Sequence, residues 1–122
     1  MRRKTRLAAA VLAALMAFVS PALAQNWPDK PVRIVVPFGP GGPADVYARV
    51  LGQALGEVFK QQFVIDNKPG AGAAIGTDIV AKAAPDGYTL LMMSNTHTVN
   101  ETLQPNRPYV LMRDLVPVAP VN

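Results

Sequence analysis

Two glycine-rich loops constrain this chain more than any other feature: Gly39-Pro40-Gly41-Gly42-Pro43 and Gly70-Ala71-Gly72-Ala73-Ala74-Ile75-Gly76. Each follows a β-branched or apolar run that reads as a buried strand, and each leads into a segment with helical periodicity. Strands alternating with helices predict βαβ units, a parallel sheet and an α/β fold. Both loops then leave the same sheet edge, with backbone N–H groups and two positive helix ends aimed at one place. Such an edge suits an anion.

Val32-Arg33-Ile34-Val35-Val36 is the first predicted strand, apolar enough to be covered on both faces. Pro43 suits the first turn of the following helix, where a missing N–H costs nothing, and Asp45 sets a carboxylate near the positive end. Ala44, Ala48, Leu51, Leu55 and Val58 form its apolar face, with Arg49, Gln53 and Lys60 mainly on the other side. Tyr47 and Arg49 lie within one turn of the first loop and read as a solvated face. Phe63-Val64-Ile65 is the second strand. A shorter helix is predicted over 74–83, with Ile75, Ile79, Val80 and Ala83 inward. Pro85-Asp86-Gly87 is a turn signal. Tyr88 to Met93 is the third strand, and Ser94-Asn95-Thr96-His97-Thr98 is read as a polar loop at its carboxyl end. Beyond Asn100, four prolines exclude a long regular element, and Tyr109-Val110-Leu111 and Leu115 to Val118 read as short extended pieces.

The first 24 residues predict the compartment. Arg2, Arg3, Lys4 and Arg6 form a basic segment, Leu7 to Val19 an uncharged apolar run, and Ala22-Leu23-Ala24 a small-x-small cleavage box. That order is a secretory signal peptide, cut after Ala24. It also changes the meaning of the formal charge of +4, because four of the twelve basic residues lie in the leader. From Gln25 onward eight basic residues meet eight acidic ones, scattered along the chain. A nucleic-acid partner calls for a basic patch, and this pattern has none. With no cysteine, disulfides, a thiol nucleophile and a cysteine zinc site are excluded. Residues 25–122 could form one small domain that buries roughly two-thirds of its unfolded surface.

Gly39-x-Gly41-x-x-Ala44 fits the dinucleotide fingerprint, and Asp66 stands about twenty residues on, where a ribose-binding acid would sit. Against a Rossmann-like dinucleotide-binding module stand the exported compartment and the missing N–H groups of Pro40 and Pro43. The second loop misses the fingerprint by one residue and lacks the ending of a P-loop. Small residues there let a ligand approach the backbone itself. His97, the only histidine, has no carboxylate near it in sequence, so an uncharged hydrogen-bonding role or plain exposure is expected in place of catalysis. Met92 and Met93 read as packing residues. No catalytic residue, metal ligand or cofactor is expected.

Trp27-Pro28-Asp29-Lys30-Pro31-Val32-Arg33-Ile34-Val35-Val36-Pro37-Phe38 resembles the start of the Bug family, the periplasmic solute-binding proteins of tripartite tricarboxylate transporter systems. The likeness continues through Pro40-Gly41-Gly42-x-x-Asp45-x-x-Ala48-Arg49 and Asn67-x-Pro69-Gly70-Ala71-Gly72. It then runs over Ile75-Gly76, Ala81 to Leu91 and Asp114 to Ala119. It implies that the sheet is part of the first lobe of a type II periplasmic-binding-protein-like fold. It further implies a monomer without catalysis that captures a small carboxylate and serves membrane subunits of a tripartite transporter. Carried onto this chain, the ligand positions are Phe38, Gly39, Pro40, Gly41, Gly42 and Pro43; Ala71, Gly72, Ala73 and Ala74; and Ser94, Asn95, Thr96, His97 and Thr98. Backbone N–H groups and bridging waters would hold the carboxylate, at about 1.5–3 kcal/mol per charged hydrogen bond, and a helix N-terminus adds up to about 1 kcal/mol.

The chain departs from the family where Gly39 stands in place of a frequent proline, where Pro43 replaces a small residue with an N–H, and where Ala73-Ala74 replaces a Gly-Asn type pair. Family members continue into a second lobe and return to complete the first. On that basis residues 25–122 are expected to be an incomplete N-terminal lobe. The alternative function is then an exported, truncated remnant without binding activity.

Overall fold

The computed structural model describes residues 26–121. The expected signal peptide and its cleavage site after Ala24 lie outside the described residues. Strand β1 (Val32–Val36) leads to helix α1 (Pro43–Phe59), strand β2 (Phe63–Asn67), a tight turn at Ala71–Ala73, and helix α2 (Ala74–Ala81). Strand β3 (Thr89–Leu91), helix α3 (Asn95–Leu103) and a four-residue helix α4 (Leu111–Asp114) complete the order. The three strands are parallel in the order β2-β1-β3. The fold is the parallel α/β arrangement that the alternating pattern predicts.

β1 is central because it is the most apolar strand. Val32, Ile34, Val35 and Val36 are all essentially sealed from solvent, whereas β2 and β3 are only half-buried. Ile34 and Val36 pack with Ala48 of α1 and with Met92, joined by Phe38, Leu51, Phe63, Ile65 and Leu90. α1 lies against β1 and β2, and α2 lies against β1 and β3. A second cluster joins Ala74 at the start of α2 to Tyr109 and Leu111. At the far end of α1, Trp27 packs edge-on against Phe59 at 5.5 Å and tilts towards Tyr88 at 6.1 Å.

The chain leaves β1 to form β2 on one side, then crosses past β1 to form β3 on the other. Right-handed crossovers in opposite directions put α1 and α2 on opposite faces of the sheet. The point where the order reverses, beyond the carboxyl ends of β1 and β3, is where open α/β sheets bind ligands.

Several local expectations shift. β2 runs on to Asn67, and β3 is only three residues long. The buried stripe of α1 is Asp45, Ala48 and Gly52, while Val58 is exposed, because small side chains allow the helix to approach β2 closely. Ile75 is half-exposed instead of inward, its side chain lying over Gly70. Segment 95–103 is helical where a polar loop and irregular chain were expected. Leu111, expected to end a short extended piece, instead begins a helical turn over Leu111–Asp114. Gly76 is the fixed point of α2: a Cβ there would stand 2.8 Å from the Lys68 carbonyl oxygen and 2.9 Å from the Pro37 Cα.

Candidate functional site

Because all three strands are parallel, each is followed at one edge by the start of a helix: α1 after β1, α2 after β2 and α3 after β3. Three positive helix ends therefore share the edge where two were expected. α1 begins behind Gly42 and α2 behind Ala73, neither with a side-chain cap. The first-turn N–H groups of α1 are thus left without a capping side chain.

The first loop is held from below by Asp45. This carboxylate is only 2% exposed. Its Oδ2 accepts the Gly41 N–H at 2.8 Å and Arg49 Nε at 2.9 Å. Its Oδ1 accepts Arg49 Nη2 at 2.9 Å and Asn67 Nδ2 at 2.9 Å. The same Asn67 amide donates to the Phe38 carbonyl at 3.1 Å. The bonds from Arg49, Gly41 and Asn67 hold the Asp45 carboxyl far below the usual carboxylate range, so it is a fixed anion. One loop N–H, that of Gly41, is spent inside the protein and is not free for a ligand.

The first four residues of the second loop lie in the left-handed half of backbone space, before α2 begins at Ala74. The φ angles are +132° at Gly70, +48° at Ala71, +60° at Gly72 and +78° at Ala73. Glycine takes such angles freely, but Ala71 and Ala73, on either side of Gly72, carry strain there. Each carbonyl of the turn is taken up by a side chain from outside it. Gln104 Nε2 donates to the Ala71 oxygen at 3.3 Å, Asn100 Nδ2 to the Gly72 oxygen at 2.6 Å, and Thr77 Oγ1 to the Ala73 oxygen at 2.8 Å.

The third segment is a helix start. The Ser94 hydroxyl accepts the Thr96 N–H at 3.3 Å, and the His97 Nδ1 accepts the Ser94 N–H at 3.2 Å. This is a capping box with histidine in the usual place of Glu or Gln. His97 is 1% exposed and meets the Phe38 ring edge-on at 5.9 Å. Burial lowers its pKa, against the pull of the Ser94 backbone, so the ring is neutral at pH 7. Plain solvent exposure of His97 is excluded, and the hydrogen-bonding alternative holds.

Of the positions singled out in the sequence, Gly39, Pro40, Gly41, Pro43, Ala71, Gly72, Asn95 and Thr98 are exposed at this edge. Phe38, Gly42, Ser94 and Thr96 are half-buried, and Ala73, Ala74 and His97 are buried. The first and third segments meet through Phe38 and His97, and the second and third through Gly72 and Asn100. The sequence reading placed Asp45 at the helix start and Arg49 on a solvated face but assigned neither the contacts that hold the loops, Asp45 with Arg49 and Asn67, nor those of Asn100 and Gln104 with the second turn. The four-residue spacing of Asp45 and Arg49 was a visible signal. Asp66, the acid of the dinucleotide reading, is engaged by Arg33 at 2.8 Å and by Lys68 at 3.3 Å.

A hollow of about 720 Å³ lies elsewhere, in a groove along α1 and β2 lined by Arg49, Gln53, Glu57, Lys60 and Phe63 among others. Its lining mixes both charges, whereas the helix-start edge gathers three positive helix ends, which makes that edge the better candidate for an anion. Among the described residues no group of three or more His, Asp or Glu side chains could hold a metal, and no helix is long and apolar enough to cross a membrane.

A parallel α/β sheet whose strand-to-helix loops share one switch-point edge is the arrangement found in solved periplasmic binding proteins that this chain resembles. MatC from Rhodopseudomonas palustris, solved with bound malate, matches with a TM-score of 0.62 at 37% identity, over 68% of this chain and 29% of that one. An R. palustris protein solved with adipate matches with a TM-score of 0.53 at 45% identity, over 53% of this chain and 22% of that one. In sequence, Protein BugT of Bordetella pertussis is 44% identical over 121 residues, 96% of this chain. A model described as tripartite tricarboxylate transporter family receptor matches residues 47–122. The chain belongs to this family of solute-binding receptors, as the Bug resemblance implies. It spans 37% of BugT's length.

Proposed function

We propose that this chain contributes the three loops at its sheet edge to the binding of a small carboxylate, as an exported solute-binding receptor without catalytic turnover. The observation that carries the reading is the convergence of three helix starts on the switch-point edge, two of them without side-chain caps. A carboxylate there would draw on the positive helix ends and backbone donors and would need no arginine. Malate and adipate in the related structures are both small dicarboxylates, which supports that ligand class.

The ligand positions of this reading are Phe38 to Pro43, Ala71 to Ala74 and Ser94 to Thr98. The chain acts as a monomer in the periplasm after loss of residues 1–24, and it delivers its ligand to membrane subunits of a tripartite transporter. Calorimetric titration with mono-, di- and tricarboxylates tests the reading. Saturable heat with at least one of them supports it. A folded sample that gives no heat with any of them refutes it and favours a remnant without binding activity.

A further inference from the structure

One face of α3 touches both of the other loops. His97 lies against Phe38 of the first, and Asn100 and Gln104, three and seven positions further on, reach the second. The three-residue spacing keeps His97 and Asn100 on one side of the helix, and Gln104 follows as its C-cap. Asn100 is a polar residue buried to 6% exposure, and its side-chain amide donates to the Gly72 oxygen at 2.6 Å. A Cβ placed on Gly72 would stand 2.8 Å from the Gln104 Nε2 and 3.8 Å from the Asn100 Nδ2, so both side-chain amides rest on the turn.

In a helical turn of either hand the carbonyls point one way along the axis and the N–H groups the other. Capture of the Ala71 and Gly72 oxygens by α3 therefore fixes which way the turn's N–H groups face. It also offsets the strain of Ala71 and Ala73, which would otherwise favour leaving the left-handed region. Arg107 braces the same stretch of α3, its Nη1 donating to the Glu101 oxygen at 3.0 Å and the Gln104 oxygen at 3.1 Å.

We propose that Asn100 and Gln104 are positioning residues that hold the Ala71–Ala73 turn left-handed, with its N–H groups set for an anion. The clause about the anion rests on the carboxylate-binding reading above. Neither side chain touches the ligand; both act through the turn. Their loss lets Ala71 and Ala73 fall back to negative φ and scatters the donors.

The test uses the exported chain, with Asn100→Ala and the milder, more exposed Gln104→Ala, each made also in an Ala71→Gly/Ala73→Gly background. The first readout is the backbone conformation at Ala71 and Ala73, from three-bond amide–Hα couplings and Cβ shifts in the alanine background. The second is affinity for malate. Expected are a change of both alanines to negative φ and a tenfold weaker affinity in Asn100→Ala, with a smaller version in Gln104→Ala. In the glycine background the affinity loss should shrink to threefold or less, because no strain then drives the turn away.

An equal loss in both backgrounds, as for general destabilisation, overturns the proposal. So does a turn unchanged in both variants, even if the wild type binds malate, and the proposed function then survives. Should the wild type bind no carboxylate while Asn100→Ala still loses the left-handed turn, the positioning stands and the proposed function falls. If Asn100→Ala does not fold, Gln104→Ala decides by the same two readouts.

Discussion

Asn67 and Asp45, twenty-two residues apart in sequence, meet at 2.9 Å beneath the first glycine loop. The same amide also holds the Phe38 carbonyl, so one side chain ties the end of β2 to both the start of the loop and the helix behind it. Asp45→Ala would leave the Gly41 N–H, Arg49 and Asn67 without their shared acceptor. Breaking such a set of hydrogen bonds should lower Tm by about 10 °C in a domain of this size. Thermal unfolding of Asp45→Ala and Asn67→Ala checks this, and a shift of only a degree or two in both would show the network to be incidental.

The network also predicts acid sensitivity. Asp45 is held far below its ordinary pKa, so its stabilisation is complete above the unfolded value near 3.9 and is lost as pH falls below it. The loss should be absent in Asp45→Asn, whose stability would be lower at pH 7 but flatter through the acid range.

His97 predicts a second, milder pH dependence. Its folded pKa is lowered by burial, whereas in the unfolded chain the ring takes up its proton near pH 6.5. Below that pH the unfolded state binds more protons, so stability is full above about pH 6.5 and declines as pH drops towards the folded value. His97→Gln keeps an N3 side chain that can accept the Ser94 N–H and removes the titration. Urea unfolding at pH 7 and pH 5 should show a decline in the wild type and none of that component in His97→Gln.

Ala71→Gly or Ala73→Gly should stabilise the chain slightly. The left-handed strain relieved is about 1–2 kcal/mol, and the added flexibility of glycine costs about 0.5–1 kcal/mol. A net gain of up to about 1.5 kcal/mol is expected for each, measured by urea unfolding. A loss would mean that the turn is not left-handed in solution.

Gly76→Ala should be among the most damaging single methyl additions. The new Cβ would meet Pro37 and the Lys68 carbonyl oxygen below 3 Å, and neither neighbour is a flexible side-chain end. Overpacking of this kind costs about 1–3 kcal/mol. Gly39→Ala, where nothing lies within 4 Å of a new Cβ, is the control and should change little.

The architecture was legible because β1 is so apolar. Val32 to Val36 reads as a strand covered on both faces, and the glycine loops mark where each helix begins. α3 was not legible because Thr96, Thr98 and Val99 are β-branched and poor helix formers. What starts that helix is the Ser94 cap with histidine at N3, a variant of the usual signal. The exposed loops at the helix starts could be read from backbone logic, since their residue types are small and their positions follow strands. Their supports could not. Asp45 reads in sequence only as a carboxylate near a positive helix end, and nothing local in the sequence says that Asn67 or Asn100 would reach it or the second turn. Those contacts span twenty-two and twenty-eight residues and exist only once the sheet has formed.

Backbone amide mapping tests the central claim most directly. Proton–nitrogen correlation spectra of the chain, titrated with malate and with adipate up to about 10 mM to cover weak affinities, should show saturable shifts confined to three stretches. Those are Gly39 to Ala44, Ala71 to Ile75 and Asn95 to Thr98. Saturable shifts that spare all three, or a flat response to both ligands from a well-dispersed spectrum, would contradict the account.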